Sequence, residues 1–214
     1  MKPVTMVLEA LAQTRGRRLL DIGCGPGVLG QKLREHGVDW TGIDPQGGAG
    51  VITARAESLP FDSGTFDLVL FQNALHHIPV ARMDDALAEA ERVLAPGGLI
   101  LVIEPAVHGA LSAVLAVVDD ETEIREAAQR AITRATSPGA PLYVLRHDQP
   151  IRQERIADFE TFVSRMIAVD AERAEAAHEN NDALRTAFRM HAQYSAGEGY
   201  VMDQPMKLHL LARA

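Results

Sequence analysis

Three glycines at alternating positions stand near the start of the chain, where Gly23, Gly25 and Gly27 follow the segment Leu-Leu-Asp-Ile that contains Asp21. A glycine turn between a strand and a helix lets the backbone adopt positive φ, and it lets a ligand approach without a Cβ in the way. The unpaired N–H groups at the start of the following helix attract an anionic group. The spacing therefore predicts that this loop binds a nucleotide-like ligand.

A carboxylate that suits a ribose lies downstream of this loop. Residues 25–30 fit the G-x-G-x-x-G pattern of dinucleotide-binding loops, and Asp44 lies near the distance, about 20 residues, at which an acidic residue binds ribose. A ribose diol has two O–H donors, which one carboxylate can accept. By itself this pattern fits a dinucleotide or another cofactor that contains a nucleoside.

The first half of the chain alternates short apolar runs with helix-compatible segments. Strands are predicted at residues 19–22, 38–43, 51–54, 66–71 and 99–103, and helices at residues 4–12, 28–35 and 79–94, the last of them ended by Pro96-Gly97-Gly98. The run at residues 66–71 is almost wholly apolar, as expected of a strand buried on both faces of a parallel sheet. The alternation predicts an α/β fold with a Rossmann-like, doubly wound, mostly parallel sheet.

The pattern changes after residue 105. Helices are predicted over residues 107–118 and 121–135, an extended segment at 142–145, two helices between 155 and 189, and a closing strand at 206–211, while residues 159–167 fit a helix or a strand. We therefore expect one domain over residues 1–214. Within it, residues 1–17 hold a helix that covers or leads into the site, residues 18–105 form the cofactor-binding half, residues 106–205 form a mainly helical insertion over the substrate, and residues 206–211 close the sheet.

Composition limits the partners of the chain. With 29 acidic and 21 basic residues among 214, the formal net charge is −8, which disfavours nucleic acid as a substrate.

No apolar run suggests membrane insertion, and the single cysteine, Cys24, excludes an internal disulfide, so we expect a cytoplasmic protein. The scattered histidines predict no metal site. An apolar stripe from Leu111 to Val118 is expected to be core or a dimer face, which leaves a homodimer open.

Further motifs narrow the choice of ligand. Asp21 and the three glycines form Asp-x-Gly-x-Gly-x-Gly; residues 55–61 read Arg-Ala-Glu-Ser-Leu-Pro-Phe, residues 66–70 Phe-Asp-Leu-Val-Leu, residues 75–78 Leu-His-His-Ile, and residues 92–98 Arg-Val-Leu-Ala-Pro-Gly-Gly. Together these motifs resemble the class I S-adenosylmethionine-dependent methyltransferases, in particular a small-molecule branch similar to the ubiquinone- and menaquinone-biosynthesis methyltransferases. The resemblance covers residues 18–105 and implies S-adenosyl-L-methionine as cofactor on a seven-stranded sheet of the methyltransferase type.

The resemblance also implies roles for individual residues. The loop would receive the methionine part of the cofactor, the acidic residue after the second strand its ribose, and the segment after the third strand its adenine. The implied cofactor-binding residues are Asp21, Gly23, Cys24, Gly25, Gly27, Asp44, Pro45, Ala56, Glu57, Phe71, Gln72 and Asn73. Of these, Cys24 is expected to be a small filler. One departure is Arg55, which stands where many relatives carry an adenine-binding Asp and which cannot accept a hydrogen bond.

The implied function is transfer of a methyl group to a small-molecule O, N or C nucleophile by in-line displacement, with at most one general base. The candidate bases are His77, Glu104 and His108. Two other functions stay open at this point. One is a non-catalytic S-adenosylmethionine-binding sensor or subunit, and the other, less favoured because no Tyr-x-x-x-Lys pair is visible, is an NAD-dependent oxidoreductase.

Overall fold

A computed structural model describes residues 3–214, which form nine strands and eight helices. The strands are β1 (Arg18–Ile22), β2 (Asp39–Asp44), β3 (Ile52–Thr53), β4 (Phe66–Gln72), β5 (Leu94–Pro105), β6 (Leu142–Asp148), β7 (Ile151–Ile156), β8 (Gln193–Ser195) and β9 (Gly199–Arg213). The helices are α1 (Pro3–Leu11), α2 (Val28–Glu35), α3 (Met83–Val93), α4 (Ala110–Leu115), α5 (Thr122–Ala135), α6 (Phe159–Val169), α7 (Arg173–Glu179) and α8 (Asn181–His191).

The described residues form two compact units. The first comprises the chain through Glu104, Ile124–Pro150 and Lys207–Ala214. Its strands lie in the order β3-β2-β1-β4-β5-β9-β6, with parallel pairing from β3 through β5 and antiparallel pairing of β6 with β9. The prediction of a mostly parallel α/β sheet is confirmed, and the predicted seven strands agree roughly with the sheet, in which β7 and β8 also pair with β9 outside this order. Because β1, β2, β4 and β5 are parallel, their carboxyl ends meet at one edge, where open α/β sheets bind ligands.

The core of the first unit is built on β4, whose residues from Phe66 through Phe71 are all buried. One face packs against helices that present small residues, such as Ala90 of α3 and Ala128 of α5. Small side chains allow a close approach of helix to sheet, and each buried Val, Leu or Phe side chain contributes about 1.5–3 kcal/mol relative to exposure. A rigid sheet of this kind holds the loops at its carboxyl edge in fixed positions.

The second unit comprises Pro105–Glu123 and Ile151–Met206. Strand β7 and the short β8 both pair antiparallel with the first part of β9, and neither strand is predicted by the sequence patterns. The aromatic rings of Phe159, Phe162, Phe188 and Tyr200 pack together with ring centroids 5.0–6.4 Å apart. This unit is therefore mixed α and β, with the helices α4, α6, α7 and α8 beside its strands.

Three predicted boundaries are wrong. Pro96-Gly97-Gly98 does not end a helix: it lies within β5, where the register with β4 shifts and where Gly98 comes so close that an added Cβ would be 3.1 Å from the carbonyl oxygens of Phe66 and Asp67. The helix predicted at residues 79–94 begins only at Met83, after a 3-10 turn at Val80–Arg82. The helix predicted at residues 107–118 begins only at Ala110, because Gly109 adopts φ 131°, which is not helical, and it ends at Leu115, before a turn at residues 116–118.

The segment that fitted either a helix or a strand is the helix α6. Its start is fixed by Asp158, whose carboxylate accepts a hydrogen bond from the N–H of Thr161 at 2.7 Å. This is the contact of a helix N-cap, which the apolar spacing of residues 159–167 does not reveal. Three helices rather than two follow β7, because a break at Asn180 separates α7 from α8.

Helix α1 packs against α2 and β4 through Met6, Val7, Ala10 and Leu11, which are buried. Over residues 3–214, no helix has the length and apolar character that crossing a membrane requires.

Candidate functional site

The glycine loop joins β1 to α2 and has left-handed backbone at Gly23 (φ 68°), Gly25 (φ 54°) and Gly27 (φ 76°). Its N–H groups are largely used within the protein. Those of Gly23 and Cys24 donate to the carbonyl of Ile43 at 2.9 and 3.1 Å, and that of Gly27 donates to the carbonyl of Cys24 at 3.1 Å. The loop is thus a closed turn, and the N–H groups that a helix leaves unpaired lie next to it, in the first turn of α2.

Asp44 and the loop are in direct contact. The Asp44 carboxylate at the end of β2 accepts hydrogen bonds from the N–H of Gly25 (2.9 Å) and from the N–H of Gln46 (3.0 Å). A Cβ added to Gly25 would meet no described heavy atom within 4 Å, so this face of the loop is open. The ribose-binding candidate and the open glycine therefore lie side by side. Pro45 follows on the exposed surface.

The other side of the loop rests on Trp40 of β2, a residue that the sequence reasoning did not single out. A Cβ added to Gly30 or Gly42 would lie 2.2–2.3 Å from its indole atoms. Gly30, the last glycine of the G-x-G-x-x-G match, is thus required by packing against tryptophan. The indole N–H donates to the carboxylate of Asp21 at 3.0 Å, and Asp21 is buried, which raises its pKa to about 7 despite that hydrogen bond.

Cys24 is half-buried in the loop. Burial raises the pKa of its thiol to about 12, and the nearby carboxylates of Asp21 and Asp44 act in the same direction. A thiol with this pKa is almost wholly protonated near neutral pH and is a poor nucleophile. Its chemistry agrees with the expected role of a small filler.

The segment that is expected to border adenine is held by two side chains of α3. Arg92 donates to the carbonyls of Phe61 (2.8 Å) and Leu59 (3.2 Å) and pairs with Glu89, whose carboxylate also accepts the N–H of Leu59 at 2.8 Å. This pairing lowers the pKa of Glu89. The sequence offers one signal for this ion pair, an Arg three residues after a Glu on a predicted helix, but it does not indicate which backbone groups the two side chains bind.

Within that segment, Ala56 is buried and the side chain of Glu57 is largely buried. The guanidinium of Arg55 lies 3.8 Å from the Glu57 carboxylate and is mostly exposed. Arg55 therefore pairs with Glu57, one of the two residues expected to border adenine.

The carboxyl end of β4 carries two buried acceptors without a hydrogen-bond partner, Oε1 of Gln72 and Oδ1 of Asn73. Asn73 has φ 50° and is the one non-glycine residue with positive φ in the described chain; its N–H donates to the carbonyl of Ile103 at 2.8 Å. Strain and unsatisfied acceptors concentrate at binding sites. Phe71, in contrast, points its ring into the core of the sheet, so its side chain is a packing residue.

The carboxylate of Glu104, at the end of β5, is buried and is in contact with three nitrogen atoms. One carboxylate oxygen accepts the N–H groups of Ala74 (3.0 Å) and Leu75 (2.8 Å), and the other contacts Nδ1 of His76, which is buried too. The histidine joined to Glu104 is thus His76, whereas the predicted candidate His77 is exposed, with its ring centroid 4.1 Å from that of His76. Glu104 fixes the turn after β4.

His108 lies in the second unit, on the loop before α4, and its side chain is exposed. The loop is held by Gln204 of β9, whose amide donates to the carbonyls of Ala106 (3.0 Å) and His108 (3.2 Å) and whose oxygen accepts from the Ser112 hydroxyl at 2.7 Å. The other predicted residues all belong to the first unit, at or near the carboxyl edge of its sheet.

Comparison with known proteins agrees with this geometry. Residues 20–102 match the sequence model of a family described as "Methyltransferase domain". The chain is 34% identical over 110 residues to an uncharacterized methyltransferase of Synechocystis (45% of this chain, 51% of that protein) and 33% identical over 102 residues to one of Mycobacterium tuberculosis (42% and 41%). The chain spans about half the length of the curated relatives it matches. The class I methyltransferase resemblance is confirmed; the narrower ubiquinone-like branch stays an expectation.

Solved structures share the fold over nearly the whole chain. The YcgJ protein of Bacillus subtilis superposes with a TM-score of 0.58 at 17% identity and covers 98% of this chain and 97% of its own. A structure described as the [4+2]-cyclase SpnF superposes with a TM-score of 0.54 at 19% identity, covering 98% and 78%. At such identities the likeness concerns the fold alone.

Proposed function

We propose that this chain, whose residues 20–102 match the sequence model of a methyltransferase domain, transfers a methyl group from S-adenosyl-L-methionine to an O, N or C nucleophile of a small molecule. The observation that carries the proposal is the contact between Asp44 and Gly25, which joins a diol-accepting carboxylate to a glycine with an open face. A cofactor with both a ribose and an amino-acid tail needs these two features next to each other.

The residues present fit such a cofactor. Asp44 would accept the ribose hydroxyls with the lone pairs that Gly25 and Gln46 leave. The amino-acid carboxylate would face the first turn of α2, since the N–H groups of the turn itself are mostly used. The unpartnered acceptors of Gln72 and Asn73 suit the ammonium group. Ala56 and Glu57 would border the adenine.

The sulfonium of the bound cofactor supplies an already activated methyl group, so the protein needs mainly to place the nucleophile in line. A hydroxyl or an acidic carbon also needs a base, whereas a neutral amine does not. Of the candidate bases, His77 and His108 have exposed rings, while Glu104 is enclosed by two backbone N–H groups and by His76. This arrangement favours a histidine over Glu104 as proton acceptor.

The remaining parts of the proposal rest on charge and composition. A net charge of −8 argues against a nucleic-acid substrate and agrees with a small-molecule acceptor. We propose a cytoplasmic protein without membrane insertion, and a homodimer is the oligomer to test. Size-exclusion chromatography with light scattering gives the mass directly.

Calorimetry with S-adenosylmethionine, S-adenosylhomocysteine and NAD tests the cofactor. We expect micromolar binding of the first two and none of NAD; binding of NAD alone would overturn the proposal. A screen with a radiolabelled methyl donor over small phenols, amines and quinols then tests transfer. Cofactor binding without transfer to any of them would favour a non-catalytic sensor or subunit.

A further inference from the structure

A tight turn follows β3 at residues 55–58. Arg55 and Ser58 pair as an isolated antiparallel bridge, and the N–H of Ser58 donates to the carbonyl of Arg55 at 3.2 Å. This is the closing hydrogen bond of a four-residue turn, with Ala56 and Glu57 as its central residues. The side chains of Arg55 and Glu57 therefore project from one short, closed piece of backbone.

The turn lies next to the residue that we propose to accept the ribose. Thr53 of β3 pairs with Asp44 at the end of β2, and the N–H of Ala54 donates to the carbonyl of Asp44 at 3.4 Å. The base of a nucleoside is attached directly to its ribose, so a ligand whose ribose is bound by Asp44 has its base close by. The turn is thus a candidate to recognise the edge of that base.

The position of the turn does not depend on the side chain of Arg55. Leu59, the next residue, donates its N–H to the carboxylate of Glu89 at 2.8 Å and accepts a hydrogen bond from Arg92 at 3.2 Å, so the turn is anchored to α3. Ala56 is buried, whereas 67% of the Arg55 side chain is exposed. Replacement of Arg55 should therefore change the hydrogen-bonding groups of the turn and leave its backbone in place.

The two long side chains of the turn place a donor beside an acceptor. Nη1 of Arg55 lies 3.8 Å from Oε1 of Glu57. A guanidinium has only N–H donors, and an ionised carboxylate has only acceptors. An ion pair with so exposed a guanidinium is weak, so Arg55 can turn from Glu57 to a ligand at little cost.

A donor beside an acceptor complements two kinds of purine. Adenine carries an amine donor at position 6 and an acceptor at the neighbouring N1, whereas hypoxanthine carries a carbonyl acceptor at position 6 and an N1–H donor. With the two side chains exchanging roles, the pair of Arg55 and Glu57 fits either edge. Two carboxylates would fit only the amine, because an acceptor that faces a carbonyl oxygen leaves both without a donor.

We propose that Arg55 is a specificity-determining residue, which allows this site to bind a cofactor whose purine has a carbonyl at position 6 about as well as one with the amine of adenine. The inference rests on the proposed function, because it requires a nucleoside-containing cofactor at Asp44. It concerns a position at which the chain departs from the methyltransferases that it resembles, many of which carry an acidic acceptor there.

The experiment compares two ligands by calorimetry at pH 7.5. One is S-adenosylhomocysteine, and the other is S-inosylhomocysteine, in which a carbonyl replaces the adenine amine. For the natural protein we expect dissociation constants within about threefold of each other. For Arg55→Asp, which places a second carboxylate on the turn, we expect S-inosylhomocysteine to bind at least about tenfold more weakly than S-adenosylhomocysteine.

The ratio of the two affinities separates recognition from a structural role. A distorted turn would weaken both ligands by the same factor and leave the ratio unchanged. Glu57→Ala removes the acceptor that both bases use, so it should weaken both ligands and keep the natural ratio. Arg130→Asp makes the same change of charge in an exposed ion pair with Glu126 and should bind both ligands as the natural protein does.

Thermal melts establish that each variant is folded. If Arg55→Asp does not fold, Arg55→Ala removes the donor without adding a charge and should shift the ratio by about threefold in favour of S-adenosylhomocysteine. A natural protein that prefers S-adenosylhomocysteine more than about tenfold, or Arg55 variants with the natural ratio, would overturn the inference while the proposed function stands. Failure of the natural protein to bind either ligand would overturn both.

Discussion

The backbone N–H of Gly25 donates to the carboxylate of Asp44 over 2.9 Å and so joins the loop after β1 to the end of β2. The two residues are far apart in sequence and meet because β1 and β2 are parallel neighbours, in register from Arg18 with Asp39 to Ile22 with Ile43. The contact holds the carboxylate proposed to accept a ribose diol next to an open glycine. The first two predictions test its two members.

Asp44→Asn should weaken S-adenosylhomocysteine binding. The amide oxygen can still accept the Gly25 N–H, so the loop persists, but charge-assisted bonds to a ribose diol are lost, which amounts to about 10- to 100-fold in affinity. Calorimetry measures the affinity and a thermal melt the stability. Asp39→Asn, on the exposed start of the same strand, is the matched control and should bind normally. Equal binding by both variants would contradict the assignment of Asp44.

Gly25→Ala tests the open face of the loop. Gly25 and Gly139 both have positive φ, 54° and 86°, and an added Cβ meets no described heavy atom within 4 Å at either position. Both alanine variants should therefore lose a similar stability, about 1–2 kcal/mol, from left-handed backbone. Only Gly25→Ala should reduce S-adenosylhomocysteine affinity, by about tenfold or more, because its methyl group enters the ligand's space. A loss of affinity in both variants would point to general strain instead.

Arg92→Ala should loosen the segment expected to border adenine. Arg92 holds the carbonyls of Leu59 and Phe61, and without it we expect about three- to tenfold weaker S-adenosylhomocysteine binding, since the segment must be ordered on binding. Arg134→Ala removes a surface pair with Asp84 and serves as control. Its affinity should stay within about twofold. Unchanged binding in Arg92→Ala would contradict a role of Arg92 in holding the segment for the cofactor.

Replacement of Glu104 should cost more stability than that of an exposed acid. Glu104→Ala leaves the N–H groups of Ala74 and Leu75 without their buried acceptor, a loss of about 3 kcal/mol or more in urea denaturation. Glu104→Gln keeps an oxygen for both N–H groups and should lose less. Glu126→Ala, which breaks an exposed helical pair with Arg130, should cost below about 0.5 kcal/mol. A Glu104→Ala variant as stable as Glu126→Ala would refute the structural role of Glu104.

His209 should make the protein sensitive to acid. Burial lowers its pKa from 6.5 to about 4 in the folded state, with His147, stacked on its ring, acting in the same direction. Between these values the unfolded chain binds the proton and the folded chain does not, so stability falls as pH decreases from about 6.5 to 4.

The measurement is the difference in unfolding free energy between the natural protein and His209→Gln at pH 7.5 and pH 4.5. His209→Gln should lose less stability on acidification than the natural protein. Asp21 acts in the opposite direction, because its raised pKa favours the folded state at low pH, but it is present in both proteins and therefore cancels in the difference between them. His191→Gln, at the exposed end of α8, is the control and should follow the natural protein. Identical acid profiles for all three proteins would rule out the role of His209.

Several features of the fold follow from local patterns. The bounds of α2 match the prediction at both ends, because Gly27 in left-handed conformation and the helical spacing that follows act locally. The strands of the first half differ by one or two residues, except for β5. Its start at Leu94 depends on pairing with Phe66 of β4, and no local pattern contains a bulge that forms only against a partner strand.

The strands in the second half of the chain were harder to predict from the sequence. Strands β7 and β8 are short and polar in part, and they exist because β9 continues far enough to pair with both. Periodicity at residues 151–156 is weak because the strand is partly exposed on both faces. Such strands are defined by their partner rather than by their own sequence.

By itself, the sequence determined the glycine loop, the acidic residue after the second strand and the parallel α/β fold, since each follows from backbone requirements or from short-range spacing. Only the tertiary structure decided what those residues contact. It joined Asp44 to Gly25, placed Trp40 under the loop against Asp21, and paired Glu104 with His76 rather than with His77. These contacts depend on strand order and side-chain direction, which long-range packing sets and which no spacing along the chain encodes.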